Sequence, residues 1–261
     1  MQHNTTYTFL FAAAICVVCG VLVSTSAVSL ADRQEQNAAL DKMKNVLTVS
    51  GLAEAGQDLD AGEVQDLFEK SVKAIPIDLA TGEVAEGVDP ATYDQSAAAA
   101  DPNTSRPAPA NNALIKRLPN TIVVYEVADS SGEPSLLVLP IEGYGLWSTL
   151  YGFLALDVDL ETIRGISYYQ HGETAGLGGE VDNPSWKALW PGRKAFDESG
   201  EVAITVIKGS AGPPESNPHQ VDGLAGATLT ANGVQNMLRF WLSEAGYGSF
   251  FEKYKSSERS S

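Results

Sequence analysis

Apolar residues fill positions 7–31 without one charge (YTFLFAAAICVVCGVLVSTSAVSLA), and Asp32 and Arg33 end the run. An α-helix rising about 1.5 Å per residue needs roughly 20 such residues to cross the core of a bilayer. The run is long enough for an uncleaved anchor and longer than the apolar stretch of an ordinary signal peptide. Small residues over 26–31 would also suit a cleavage site, so a removed signal is the rival reading. Leu40, Met43 and Leu47 then keep helical spacing, which predicts that the helix continues through 32–47. A second amphipathic helix is predicted over 63–75, with Val64, Leu67, Phe68, Val72 and Ile75 on one face. Residues 75–79, followed by Thr-Gly-Glu, read as a short strand and turn.

Residues 88–112 are rich in Ala, Pro and Asn without a period and predict a loop-rich insertion. A run of β-branched and apolar segments follows. Strands are predicted over 121–128 and 135–141 around a Ser-Ser-Gly-Glu turn, over 150–158 and 162–170 as a second hairpin, and over 202–208 as a fifth. A short helix is predicted over 186–190. The last helix is predicted over 232–244, where Val234, Met237, Leu238, Trp241 and Leu242 form an apolar stripe. The expected fold class is α+β: a mostly antiparallel sheet packed with helices, preceded by one N-terminal transmembrane helix. No internal repeat is visible. The expected domains are 1–31, a short stub with the anchor, and 32–261, an exported domain. The stub 1–6 holds no Lys or Arg, so orientation rests on the bulk of the chain following the anchor.

Charge narrows the function classes. Lys+Arg 17 against Asp+Glu 33 gives a net charge of -16. Phosphates would be repelled, which excludes a nucleic-acid partner and disfavours anionic lipid outside the anchor. The two cysteines, Cys16 and Cys19, both fall inside the apolar run. No disulfide framework, zinc site or cysteine-ligated cluster is expected outside it, and no metal site is assigned. Their C-x-x-C spacing matches a redox motif by letter; on a membrane helix it reads as two small apolar residues.

The segment 222–230, Asp-Gly-Leu-Ala-Gly-Ala-Thr-Leu-Thr, stands just ahead of the last predicted helix. Its glycines allow a tight turn, and a helix N-terminus offers free N–H groups to an anion. Thr228 and Thr230 add hydroxyls there. The alternative is a capping turn in which Asp222 or a Thr satisfies those N–H groups.

This segment resembles the flavinylation motif of the FMN-binding domain family, Asp-x-x-Ser/Thr-Gly-Ala-Thr/Ser-x-Ser/Thr. Asp222, Gly226, Ala227, Thr228 and Thr230 match; Ala225 replaces the usual hydroxyl residue. The resemblance implies that a dedicated flavin transferase joins the FMN phosphate to Thr228 as a phosphoester. A second stretch, 171–179 (His-Gly-Glu-Thr-Ala-Gly-Leu-Gly-Gly), resembles the family's His-x-Glu-Thr-Pro-Gly-Leu-Gly loop, with Ala175 in place of Pro. By the resemblance Glu173 and Thr174 bond the flavin or its ribityl chain, Gly176 and Gly178 allow close approach, and Leu177 packs on the ring. The other reading is a glycine-rich hairpin loop that binds nothing, and His171 is not assigned as a base. A third stretch, 143–152, resembles the family's Gly-x-Gly-Tyr/Leu-Trp-Ser/Gly segment, where Trp147 either stacks near the flavin or lies in the core.

Three motifs in order are more specific than one. Together with the anchor and the Ile-Asp-Leu-x-Thr-Gly-Glu segment over 77–83, the layout looks most like the C-type subunits of Na+-translocating NADH:quinone oxidoreductases. That resemblance implies an electron-carrying component of a translocase, with no catalytic residue of its own. It also implies covalent FMN, integral-membrane and flavin/iron-sulfur subunits as partners, and a single-pass location in a bacterial inner membrane with the flavin domain on the periplasmic side. The chain itself lacks a Rossmann glycine fingerprint, and one uncharged helix cannot form an ion pathway unaided. Two alternatives stay open: a G-type flavoprotein of the RNF electron-transport complex, whose region ahead of the sheet is usually shorter, and an anchored non-redox binding module.

Overall fold

The apolar run and the helical spacing behind it form one element, α1, over Thr5–Val49. The computed structural model describes residues 5–54 and 56–258; residues 1–4 of the predicted stub lie outside them. By internal contacts the chain divides into Met1–Lys42 and Met43–Ser261. In the first unit residues 5–30 are exposed on every side of the helix, Cys16 and Cys19 included. An apolar helix with no polar face suits a bilayer rather than water. Among the described residues it is the one helix long and apolar enough to cross a membrane.

The second unit departs from the sequence reading at its start. Helix α2 spans Ala61–Ser71, opened by a capping box between Asp60 and Glu63. It does not continue to Ile75, because Val72 turns extended and begins β1, Val72–Asp78. Val72 and Ile75 stand at helical i, i+3 spacing, but the pairing of 72–78 with β4 decides for strand. The predicted loop over 88–112 also holds structure. Helix α3 (Gln95–Ala100) is capped by Asp94, and β2 (Ser105–Pro107) pairs with β3 (Arg117–Pro119). Tyr93 Oη donates to Thr121 O at 2.6 Å and ties the insertion to the main sheet.

That sheet comprises β1, β4 (Thr121–Ala128), β5 (Pro134–Tyr144), β6 (Thr149–Asp157) and β7 (Ile163–Gln170). Its order is β1-β4-β5-β6-β7, antiparallel throughout. The fifth strand is therefore β1, not the predicted 202–208. Of that stretch only Thr205–Val206 pairs, as β8, in parallel with β9 (Gln220–Val221). The Val206 N–H also donates to the side-chain carbonyl of Gln235, so an extended, alternating segment can be satisfied away from the main sheet. A 3-10 turn (Gly178–Asp182) leads into α4 (Pro184–Lys187), slightly ahead of the predicted 186–190. Helix α5 spans Thr228–Trp241, beginning four residues earlier than predicted, and α6 (Gly248–Glu258) was not anticipated.

Helix α5 lies against one face of the sheet. Leu137, Leu139 and Ile141 of β5 share a buried cluster with Val234, Met237, Leu238 and Trp241. The packing is close enough that a Cβ on Gly233 would stand 2.5 Å from the Tyr144 carbonyl oxygen. Strands β4 and β5 pair only as far as Tyr125 and Val138. Beyond that point Tyr247 Oη donates to Pro140 O and Trp241 Nε1 to Glu142 O, which satisfies carbonyls that β4 no longer reaches.

Leu136 and Val138 alternate to the other face. There Phe68 of α2 meets Tyr125 edge-on at 5.9 Å, and Val49 lies so close to β7 that a Cβ on Gly165 would stand 3.0 Å from its carbonyl oxygen. Glu142 pairs across from Tyr151. Burial pushes its carboxyl from an ordinary 4.5 up to about 7. The folded chain therefore holds a proton that the unfolded chain has already lost, and stability falls as pH rises between those values. Glu142→Gln should remove this loss, raising stability by about 3 kcal/mol near pH 8 with little change below pH 4. Urea unfolding of the full chain in detergent at both pH values reads it; equal gains at both would show that charge is not the cause.

Candidate functional site

Three distant segments meet at one carboxylate. Glu173 is 8% exposed. Its Oε1 accepts from the N–H groups of Leu146, Trp147 and Ser148 at 3.1, 2.9 and 3.2 Å. Its Oε2 accepts from Thr230 Oγ1 at 2.6 Å. Burial raises the carboxyl's pKa, but the bonds from Thr230 and from the Trp147, Ser148 and Leu146 N–H groups outweigh it and leave it below the ordinary value. The turn after β5, the loop after β7 and the first turn of α5 are thus joined. Gly178 makes the approach possible: a Cβ there would stand 2.5 Å from Thr230 Oγ1 and 2.6 Å from Glu173 Oε2. Ser148 adds a return bond, its Oγ accepting from Gly172 N at 2.6 Å.

The start of α5 is unusual for lacking a side-chain cap. The N-cap residue is Ala227, and no side chain caps the first turn. The capping reading of the motif is therefore overturned. Asp222 Oδ1 accepts from Ala211 N at 2.8 Å instead, and the Asp222 carbonyl accepts from Trp186 Nε1 at 2.9 Å. Thr230 is committed to Glu173, whereas Thr228, the first helical residue, is exposed. Thr228 lines a cleft of about 480 Å³ with Lys208, Gly209, Asp222, Gly226 and Asn232. Across the 223–225 backbone a second cleft of about 420 Å³ is lined by Gly176, Glu180, Trp186 and Asp222.

The sequence-derived residues separate into two roles. Glu173, Gly178 and Thr230 lock the scaffold. Thr228, Gly226 and Leu177 present a surface, with Leu177 lying over Gly226 so closely that a Cβ there would meet its Cδ2 at 3.1 Å. Trp147 is 67% exposed, so it is not a core residue. Leu177 and Leu229 are 45% and 58% exposed in the neighbouring motifs. The side chain of Thr174 is exposed, and its carbonyl accepts from Leu177 N and Gly179 N to close the loop. Ser148, Lys208 and Asn232 escaped the sequence reading. Ser148 lies inside the 143–152 motif, and Lys208 ends the strand-like 202–208 stretch with no motif around it.

Comparison with known proteins decides the family. Over 260 residues, 98% of each chain, the protein is 47% identical to the C-type subunit of the Na(+)-translocating NADH-quinone reductase of Pseudomonas aeruginosa. The chain belongs to this family. The corresponding protein of Vibrio anguillarum is 46% identical over 244 residues, covering 93% of this chain and 92% of that one. A family model described as an FMN-binding domain matches residues 145–243, which include the Trp147 turn, the 171–179 loop and the Thr228 motif. The crystal structure of Shewanella oneidensis NqrC superposes with a TM-score of 0.76 at 39% identity, covering 82% of this chain and 96% of that one. Membership in the NqrC family sets aside the RNF alternative. It also supports the α+β fold read from the sequence, with a long apolar helix ahead of an antiparallel sheet.

If Glu173 is the knot, its charge should matter. Glu173→Gln keeps the shape but removes a charged acceptor, a loss of about 1.5–3 kcal/mol. The ionised form is the bonded one and its folded pKa is depressed, so this stabilisation is complete above the ordinary value of 4.5 and fades as pH falls through the folded value. Denaturation of the full chain at neutral pH and near pH 3 should show wild type and variant converging on acidification. Parallel losses would mean the carboxylate's charge contributes nothing.

Proposed function

We propose that the protein is the electron-carrying component of a membrane Na+-translocating NADH:quinone oxidoreductase, working through FMN held by a phosphoester to Thr228. Membership in the NqrC family supports the complex, and the FMN-binding domain match supports the cofactor. The observation that carries the attachment point is the exposed Thr228 hydroxyl at an uncapped helix N-terminus, in a cleft that also holds Lys208. A phosphate there meets first-turn N–H groups and the positive end of the helix dipole, with Lys208 in the wall of the cleft.

The residues fit the rest of the cofactor. Trp147, Leu177 and Leu229 offer exposed apolar surface to a flat ring. Glu173, Thr174, Gly176 and Gly178 shape the loop beside it, while Asp222, Gly226 and Ala227 form the turn that presents Thr228. Bound flavin supplies one-electron chemistry, which the side chains alone cannot. The chain's own part is to fix the phosphate end, shape the ring's surroundings and leave the site open to electron donors and acceptors. A dedicated flavin transferase completes the protein, and the other subunits oxidise NADH, move Na+ and reduce quinone. Helix α1 holds the chain in the bacterial inner membrane as a single span, with residues 32–261 as the periplasmic flavin domain.

Co-expression with a flavin transferase tests the assignment. Wild-type protein should give a band that fluoresces under ultraviolet light on a denaturing gel, and the Thr228 peptide should be heavier by FMN less one water. Thr228→Ala should reduce the fluorescence to background with folding intact, and Thr228→Ser should restore it. Covalent flavin persisting in Thr228→Ala would move the attachment elsewhere. A dark wild-type band beside a working transferase would favour the non-redox binding module.

A further inference from the structure

His171 follows the last residue of β7 and leads into the Glu173 loop, and its side chain is 15% exposed. Its two ring nitrogens meet different partners. Nε2 lies 2.9 Å from Asp182 Oδ2. Nδ1 lies 3.2 Å from the Glu173 backbone N. A backbone N–H only donates, so Nδ1 must present its lone pair, and the ring proton must sit on Nε2, facing the carboxylate. The contact with Glu173 therefore exists only for the neutral ring. A proton added to Nδ1 would set two donors face to face.

We propose that His171 is a positioning residue for the flavin site: in its neutral Nε2–H tautomer it fixes the Glu173 main chain to Asp182, and protonation of the ring releases that hold. The inference deepens the flavin reading and rests on it for its effect on the cofactor. What His171 fixes is the backbone from which the Glu173 carboxylate reaches the 146–148 turn and Thr230. A shift at this point is passed to Trp147 on one side and to the first turn of α5, which carries Thr228, on the other.

The charged and titratable groups that bear on the ring or on its Asp182 partner come from four elements. Asp182 is on the 3-10 turn. Lys187 of α4 lies 3.6 Å from Asp182 Oδ1, so the carboxylate already has a cation and does not depend on a charged imidazole for one. Tyr168 of β7 has a buried hydroxyl without a hydrogen-bond partner, and burial and the Asp182 charge hold its pKa well above the usual value. Glu173 itself is the fourth. A neutral, donating imidazole fits this set.

The first test needs no flavin. The full-length chain contains three histidines, so 15N-histidine labelling of the protein in detergent, with His171→Asn to assign its signals, reads the tautomer directly. At mildly alkaline pH His171 should carry its proton on Nε2. His219, whose Nδ1 lies 3.0 Å from the Lys194 carbonyl oxygen, should carry its proton on Nδ1 and so act as an internal contrast. An Nδ1–H tautomer at His171 would overturn the proposal.

The second test uses flavin-loaded protein over about pH 5 to 8. His171→Asn supplies a carbonyl that can accept from Glu173 N–H but cannot titrate; His171→Leu supplies no acceptor. Wild type should show an acid-side change in flavin absorbance and midpoint potential. The Asn variant should match wild type at the alkaline end and lose that change. The Leu variant should be shifted across the whole range. Identical pH profiles in all three would overturn the proposal. Failure of wild type to take up flavin would instead count against the Thr228 reading, and the tautomer measurement would still decide the role of His171.

Discussion

The buried carboxylate of Glu173 is the constraint on which the rest of the site depends. One oxygen accepts three consecutive backbone N–H groups and the other accepts the Thr230 hydroxyl. An ionised acceptor gains more from such bonds than a neutral one, and leaving any donor unsatisfied inside the protein would be costly. Segments far apart in sequence are therefore held in one geometry. The glycines nearby follow from that choice: Gly178 and Gly233 lie where a Cβ would collide with the knot or with the Tyr144 backbone.

Because Thr230 serves Glu173 and Asp222 serves Ala211, neither is left to cap α5. In most helices the first-turn N–H groups are satisfied by a side chain. Here Ala227 occupies the cap position and Thr228 follows it in the open. The scaffold uses its polar side chains to brace the loops and leaves the helix terminus available. That division explains why neighbouring threonines of one motif have opposite environments, Thr230 fully buried and Thr228 exposed.

Much of this was legible in the sequence, and the failures share a cause. The two hairpins of the main sheet were read closely because apolar alternation and turn residues agreed, and 121–128 matched without adjustment. The start of α5 was placed late because Asn232 and Gly233 are poor interior helix residues; Gly233 is tolerated because the helix must pass close to Tyr144. The stretch 202–208 alternates like a strand, yet a period of two records burial and not the identity of the hydrogen-bond partner, which for Val206 includes a glutamine side chain. The site motifs were visible as strings, and their residues were found together. That Glu173 joins them was not visible, since no local pattern encodes contacts between positions so far apart.

An electron carrier must hold its cofactor firmly and still leave it accessible, and these demands conflict if one set of residues serves both. With the flavin where we propose it, the chain separates them. Firmness comes from buried polar bonds at Glu173 and from α5 packed on β5. Access comes from side chains that remain outside: Tyr144, Leu146, Trp147, Leu177 and Leu229 are all at least 37% exposed. The segments 144–148, 174–177 and 225–230 that bear them contain no charged residue, although the chain as a whole carries a net charge of -16. Desolvating charge is expensive, whereas uncharged apolar surface can be covered at little cost. Of the charged residues near these segments, Lys208, Asp222 and Glu180 line the walls of the two clefts, so the exposed apolar side chains can be covered without desolvating charge on their own segments.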